Sequence, residues 1–183
     1  MTWRPVPLLA LVSLAVAGCS SSDDSGGGGS GGTSGGGSEP AEMSGITAAH
    51  NAARANVNPP APSALAPLAW SADLAKVAQA YAAKCQFQHS QGPYGENLYA
   101  STNASTPQAV VGAWVSEVSD YDYASNSCSK ACGHYTQVVW ANTARLGCAK
   151  QTCTQNSPFG GGSWELWVCN YDPPGNYIGQ KPY

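Results

Sequence analysis

Five side chains in this sequence stand out as candidates for proton transfer or metal binding. They are the three histidines, His50, His89 and His134, and the two glutamates Glu96 and Glu117 that lie between the last two. His89 follows an apolar stretch in Cys85-Gln86-Phe87-Gln88-His89-Ser90, and His134 opens Gly133-His134-Tyr135-Thr136-Gln137-Val138-Val139-Trp140. Imidazole and carboxylate groups serve as general acids and bases when a fold sets them side by side. Glu117 is informative by position. It shares a helical face with Val110 and Trp114, so it points inward, where an ionised acid needs a partner, or the helix is rotated enough to leave it at the solvent edge. Signatures of other chemistries are missing. No His-Glu-x-x-His helix occurs, and Gly-x-Ser-x-Gly matches fall only in the Gly/Ser-rich stretch around Ser30 and Ser34, outside residues 43–183.

The elements that would position these groups lie in residues 43–183, the size of one ordinary domain. A first helix is expected over about residues 44–56, ending before Asn58-Pro59-Pro60 because proline disfavours helical backbone in the residue ahead of it. A second starts at Ser71, an N-cap residue with Asp73 in the first turn, and carries Leu74, Val77, Ala78, Tyr81 and Cys85 on one stripe. The third opens with Thr106 as N-cap and Pro107 in the first helical position. The last third alternates as strands do, and Tyr135–Trp140, Leu146–Cys153 and Trp164–Tyr171 are the expected strands. Residues 154–163, with Pro158 and three glycines, connect the last two.

Ahead of the domain the chain changes character twice. Residues 6–17 are an apolar run behind Arg4, shorter than the ~20 apolar residues that span a bilayer, and read as a secretory signal peptide. Its end, Leu14-Ala15-Val16-Ala17-Gly18-Cys19, resembles the lipobox of bacterial lipoproteins. The expected organisation is a signal peptide over 1–18, a lipidated Cys19 with a Gly/Ser-rich linker over 19–42, and the domain from 43. Such a linker cannot bury enough apolar surface to order itself, and it spans roughly 25 Å as a flexible tether. The chain would then be exported and anchored in a membrane, at an outer membrane or cell surface. A net charge of −3 argues against a nucleic-acid partner.

Cysteine parity agrees. Removing Cys19 from the 7 cysteines leaves six, an even number for pairing in an oxidising compartment. If Cys148 lies opposite Cys169 in an antiparallel hairpin, Cys153 falls opposite Trp164, and the connection closes the register. Cys148 and Cys153 then point to opposite faces. Cys85, at the end of the second helix, is the natural partner of Cys153, and Cys128 and Cys132 can close a small loop. This is one of about 15 pairings open to six cysteines.

The motifs together resemble one family. Gly133-His134-Tyr135-Thr136-Gln137-Val138-Val139-Trp140 and Cys169-Asn170-Tyr171-Asp172-Pro173-Pro174-Gly175-Asn176-Tyr177 are similar to the two signatures of the CAP superfamily. That superfamily, whose domain is also called SCP, takes in cysteine-rich secretory proteins, antigen 5 and plant class 1 pathogenesis-related proteins. His50-Asn51-x-x-Arg54, His89-Ser90, Gly95-Glu96-Asn97-Leu98 and Trp114-x-x-Glu117 match its other landmarks in order, over about residues 44–183. All six domain cysteines and the ending Gly-Gln-Lys-Pro-Tyr resemble the plant branch most.

The resemblance implies an α+β fold: a three-layer α-β-α sandwich around a small antiparallel sheet, with disulfides Cys85–Cys153, Cys128–Cys132 and Cys148–Cys169. It implies a cleft lined by His89, Glu96, Glu117 and His134. In some relatives the two histidines hold zinc or another divalent metal. Two histidines make a weak site beside the four protein ligands of a structural zinc centre, so the expectation is labile occupancy or a polar cluster without metal. His50, Asn51, Arg54 and Asn97 are expected to hold the fold. Relatives bind sterols or fatty acids, and the resemblance therefore implies a non-enzymatic, monomeric binding module. The alternative is a metal-dependent hydrolase or protease with Glu96 or Glu117 as general base. A third reading is an interaction protein whose tail, residues 173–183, resembles a stretch that some plant relatives release as a signal.

Overall fold

The computed structural model describes residues 37–183; Cys19, the signal peptide and most of the linker lie outside them. A 3-10 turn at Ala41–Met43 leads into α1 (Ile46–Ala55). There follow β1 (Ala69–Trp70), α2 (Ala72–Ala82), β2 (Gly95–Ser101) and α3 (Pro107–Ser116), with a second 3-10 turn at Glu117–Asp120. The chain continues through β3 (Tyr121–Asp122), β4 (Ser127–Cys128), α4 (Gly133–Val138), β5 (Arg145–Cys153) and β6 (Trp164–Asp172). The fold is mixed α+β.

The main sheet has the order β1-β5-β6-β2, with β1 parallel to β5 and the other pairs antiparallel. Strand alternation sorts its side chains into two cores. Leu146, Cys148, Trp167, Cys169 and Tyr171 face α1, α3 and α4, packing with Ile46, Val110, Trp114 and Val138. Ala149, Cys153, Trp164, Leu166 and Val168 face α2, packing with Ala78 and Ala82. Helices thus cover both faces of a small sheet. The β5–β6 register sets Cys148 against Cys169 and Cys153 against Trp164, as the hairpin reading requires. All three disulfides form as expected, Cys85–Cys153, Cys128–Cys132 and Cys148–Cys169.

The helix starts were legible. The Ser71 hydroxyl accepts from the Leu74 amide and the Thr106 hydroxyl from the Ala109 amide. The buried stripe of α2 is Leu74, Ala78 and Ala82, however, while Val77 is exposed. Small residues suit this face because α2 lies very close to β5. A Cβ on Gly147 would sit 2.5 Å from the Ser71 carbonyl oxygen and 2.6 Å from the Leu74 carbonyl carbon.

Two assignments need correction. The segment Tyr135–Trp140 is not a strand; most of it belongs to α4. Every residue from 135 to 140 is buried, so no in-out alternation exists for a strand pattern to report. The Thr136 hydroxyl lies 3.2 Å from the Cys132 carbonyl oxygen, four residues back, the contact a threonine inside a helix makes. Four strands were missed, the two-residue β1, β3 and β4 and the longer β2, an edge strand whose pairing with β6 is long-range.

α1 has no cap of its own, since its N-cap is Gly45. Glu39 supplies one from outside the helix, its carboxylate accepting from the Gly45 and Thr47 amides at 2.7 Å each. Burial pushes the Glu39 pKa up, but its hydrogen bonds from Thr47 and Gly45 outweigh this and hold it below the ordinary 4.5. Glu39→Gln is expected to cost about 1 kcal/mol in denaturant unfolding at neutral pH. Because the folded pKa is depressed, the wild-type advantage is present above 4.5 and shrinks as acid protonates the folded carboxylate. An equal deficit at neutral pH and well below that value would remove the capping account.

Candidate functional site

The four predicted side chains are brought together in pairs. Glu117 directly follows α3, and its carboxylate caps the start of α4, accepting from the His134 amide at 2.9 Å and the Tyr135 amide at 3.2 Å. Its other oxygen lies 2.6 Å from His134 Nδ1. The side chain is 18% exposed, which decides in favour of the inward, paired orientation. The His134 ring stacks on Trp114, with centroids 6.2 Å apart and planes 19° apart. Its carbonyl accepts from the Asn97 amide at 3.1 Å.

The second pair sits at the start of β2. His89 Nδ1 is 2.9 Å from Glu96 Oε1, and the same oxygen accepts from the Ser90 amide at 2.8 Å. The imidazole is 55% exposed and the carboxylate only 6%. Glu96 Oε2 is buried without a hydrogen-bond partner in the structure. Both dyads engage Nδ1, so each ring, when neutral and donating from Nδ1, keeps a lone pair on Nε2. Among the described residues no group of three or more His, Cys, Asp or Glu side chains is arranged to hold a metal ion.

His89 and Glu96 open onto a groove of about 480 Å³, lined also by Ser90, Tyr94, Gln137, Gly175 and Asn176. Its lining is polar, and two amides build its wall. Gln137 accepts from the Gly175 amide at 2.9 Å and donates to the Thr143 hydroxyl at 3.2 Å. Asn176 donates to the Gly133 carbonyl at 2.8 Å and accepts from the Thr136 hydroxyl at 2.7 Å. A Cβ on Gly95 would come within 2.8 Å of Gln137 Cδ, so glycine there lets β2 lie against α4. These wall residues were assigned no role from sequence. The available signal was Gln137, an amide inside an otherwise apolar run.

His50, Asn51 and Arg54 hold the fold, as expected. Asn51 exchanges two bonds with the Leu68 backbone, at 3.0 and 2.7 Å. Arg54 donates to backbone carbonyls of the segments on either side of it, 66 and 138–143. His50 is fully buried between the Ile46 carbonyl and the Tyr171 hydroxyl, at 2.8 Å each.

Comparison with known proteins gives the class of this fold and site. The model of the CAP family, the cysteine-rich secretory protein family, matches residues 47–171, and the chain belongs to that family. Within it, the chain is 46% identical over 139 residues to a pathogenesis-related protein 1 of Arabidopsis thaliana, covering 74% of this chain and 78% of that protein. It is also 46% identical over 139 residues to the basic form of pathogenesis-related protein 1 of Nicotiana tabacum, covering 73% and 71%. Among solved structures, NaASP2 with Zn2+ superposes with a TM-score of 0.64 at 25% identity, covering 78% of this chain and 84% of that one. The venom allergen-like protein 4 of Schistosoma mansoni gives 0.64 at 26% identity, covering 79% and 95%.

Proposed function

We propose that this chain is an exported, monomeric, non-enzymatic binding module, tethered through a lipidated Cys19, whose two imidazole–carboxylate dyads take up a labile divalent metal ion. The observation that carries the metal reading is the shared use of Nδ1. A metal-ligating histidine characteristically gives its other ring nitrogen to a carboxylate, and His89–Glu96 and His134–Glu117 both have that arrangement. The unpartnered Glu96 Oε2 adds a buried anionic oxygen. The solved structure of NaASP2, to which this fold is similar, is one with Zn2+. With two imidazoles as protein ligands, water would complete the coordination, and the ion would exchange readily.

The polar lining of the groove favours an ion or a polar ligand there. A sterol or fatty acid, the ligand class implied by the family resemblance, would need an apolar site elsewhere on the domain. Export is supported by the three disulfides, which persist in oxidising compartments. The anchor proposed is an acyl chain on Cys19, on the lipobox-like Leu14-Ala15-Val16-Ala17-Gly18-Cys19.

Calorimetric titration of the folded domain with zinc chloride tests the site. Binding should weaken about 10- to 100-fold in Glu117→Gln, the scale of losing a carboxylate behind a ligand, and disappear in His134→Ala. Absence of zinc binding, or binding unchanged in both variants, would overturn the metal reading. Metal-dependent peptide cleavage abolished by Glu117→Gln would replace the binding module with the hydrolase.

A further inference from the structure

The three disulfides differ in access. Cys85–Cys153 and Cys148–Cys169 have both residues buried, one bridge on each face of the sheet. A thiolate reaches their sulfurs only if the core opens. Cys128 of the third bridge is exposed, and lines concavities on two sides, one with Tyr121 and Gly133, the other with Asp120 and Ser129. Its partner Cys132 is buried and occupies the N-cap position of α4, two residues before His134.

That position gives the bridge leverage on the site. Cys132 offers no side-chain hydrogen bond to the helix, and the first-turn amides of His134 and Tyr135 go to Glu117 instead. The bridge therefore straps β4 to the helix end that presents His134 to its carboxylate.

The geometry points to a redox-sensitive device: a dithiol opens Cys128–Cys132 alone in the native protein, and the freed N-terminus of α4 loosens the His134–Glu117 dyad. A thiolate of the dithiol attacks the Sγ of the exposed residue Cys128, and Cys132 leaves as a thiolate that takes up a proton. The second thiol of the reductant then resolves the mixed disulfide and releases Cys128. Two electrons and two protons pass to the bridge, and the dithiol becomes its own disulfide.

Graded dithiothreitol under native conditions, followed by alkylation and peptide mass mapping, tests the selectivity. Cys128 and Cys132 should be trapped about tenfold or more faster than the four cysteines of the other two bridges. Histidine ring NMR of the same samples tests the consequence: His134 signals should shift or broaden while those of His50 and His89 stay in place. The double variant Cys128→Ser with Cys132→Ser should reproduce the His134 change. If that variant does not fold, the selectively reduced wild type decides. Equal trapping of all six cysteines, or selective opening that leaves the His134 signals unmoved, overturns the proposal. No metal enters either readout, so the result is independent of the zinc titration.

Discussion

Arg54→Met should lower the unfolding free energy by about 3 kcal/mol, a large share of the 5–15 kcal/mol that holds a domain of this size together. Arg54 is 1% exposed. It donates to the carbonyls of Ala66 at 2.9 Å, Val138 at 3.1 Å and Trp140 at 2.7 Å, with longer bonds at 3.4 Å to Ala141 and Thr143. Among the described residues no carboxylate lies within ion-pair distance of it. Burial pushes its pKa down to about 10, which leaves it charged at neutral pH.

Two effects compete in this substitution. Removing a buried charge relieves its desolvation, which is why some buried ion pairs are replaced by apolar residues without loss. Here the partners are main-chain carbonyls, and no side-chain substitution removes them. The buried Val138 carbonyl would be left unpaired at about 1–3 kcal/mol, Trp140 would keep only its bond from the Thr143 amide at 3.2 Å, and Ala66 would lose its bond at a partly exposed site, while methionine fills much of the vacated volume. The lost hydrogen bonds win. Arg54→Lys should recover part of the loss, since an ammonium offers three donors from one point rather than a planar fork. Because Arg54 clamps residues 138–143 directly after α4, both variants should also loosen the groove wall at Gln137. Guanidinium unfolding with the disulfides intact measures the cost, and a loss below about 1 kcal/mol for Arg54→Met would show that the carbonyls find other donors.

How far the sequence could be read depended on whether a signal was local. Ser71 and Thr106 act on amides three residues away, so their caps could be read from type and position. The β5–β6 register could be read because hairpin geometry makes one cross-strand pair determine the next. Glu117 could be placed on the helical face it shares with Trp114, but its partner could not, since His134 arrives from the far side of a hairpin and a disulfide loop. α4 was misread for a different reason. Its last four residues, 135–138, are buried where α4 meets α1, α3 and β2, and burial on every side erases the periodicity that separates helix from strand. The groove was invisible for the same cause: Gln137, Gly95 and Gly175 meet only in three dimensions.

Acidification should expose the other buried polar anchor of α1. The unfolding free energy should fall by roughly 3 kcal/mol between pH 7 and pH 4 from His50 alone. Its neutral ring is fully satisfied, with Nδ1–H donating to the Ile46 carbonyl and Nε2 accepting from the Tyr171 hydroxyl. Burial, reinforced by the Arg54 charge, pushes the folded pKa down from 6.5 to about 4. Between those two values the unfolded chain holds a proton that the folded one refuses, so falling pH favours unfolding. The contribution is intact above 6.5, declines through the interval and levels off below 4. Glu165 carries the loss further. Burial raises its pKa, but bonds from Trp167, Ser105 and Lys150 outweigh this and hold it low, so its contribution fades only in stronger acid. His50→Gln separates the two, because it should be less stable at pH 7 yet nearly flat between pH 6.5 and pH 4. Parallel pH profiles for wild type and variant over that interval would mean that His50 already exchanges its proton in the folded state. The buried ring would then have water access that the Ile46 and Tyr171 contacts do not provide.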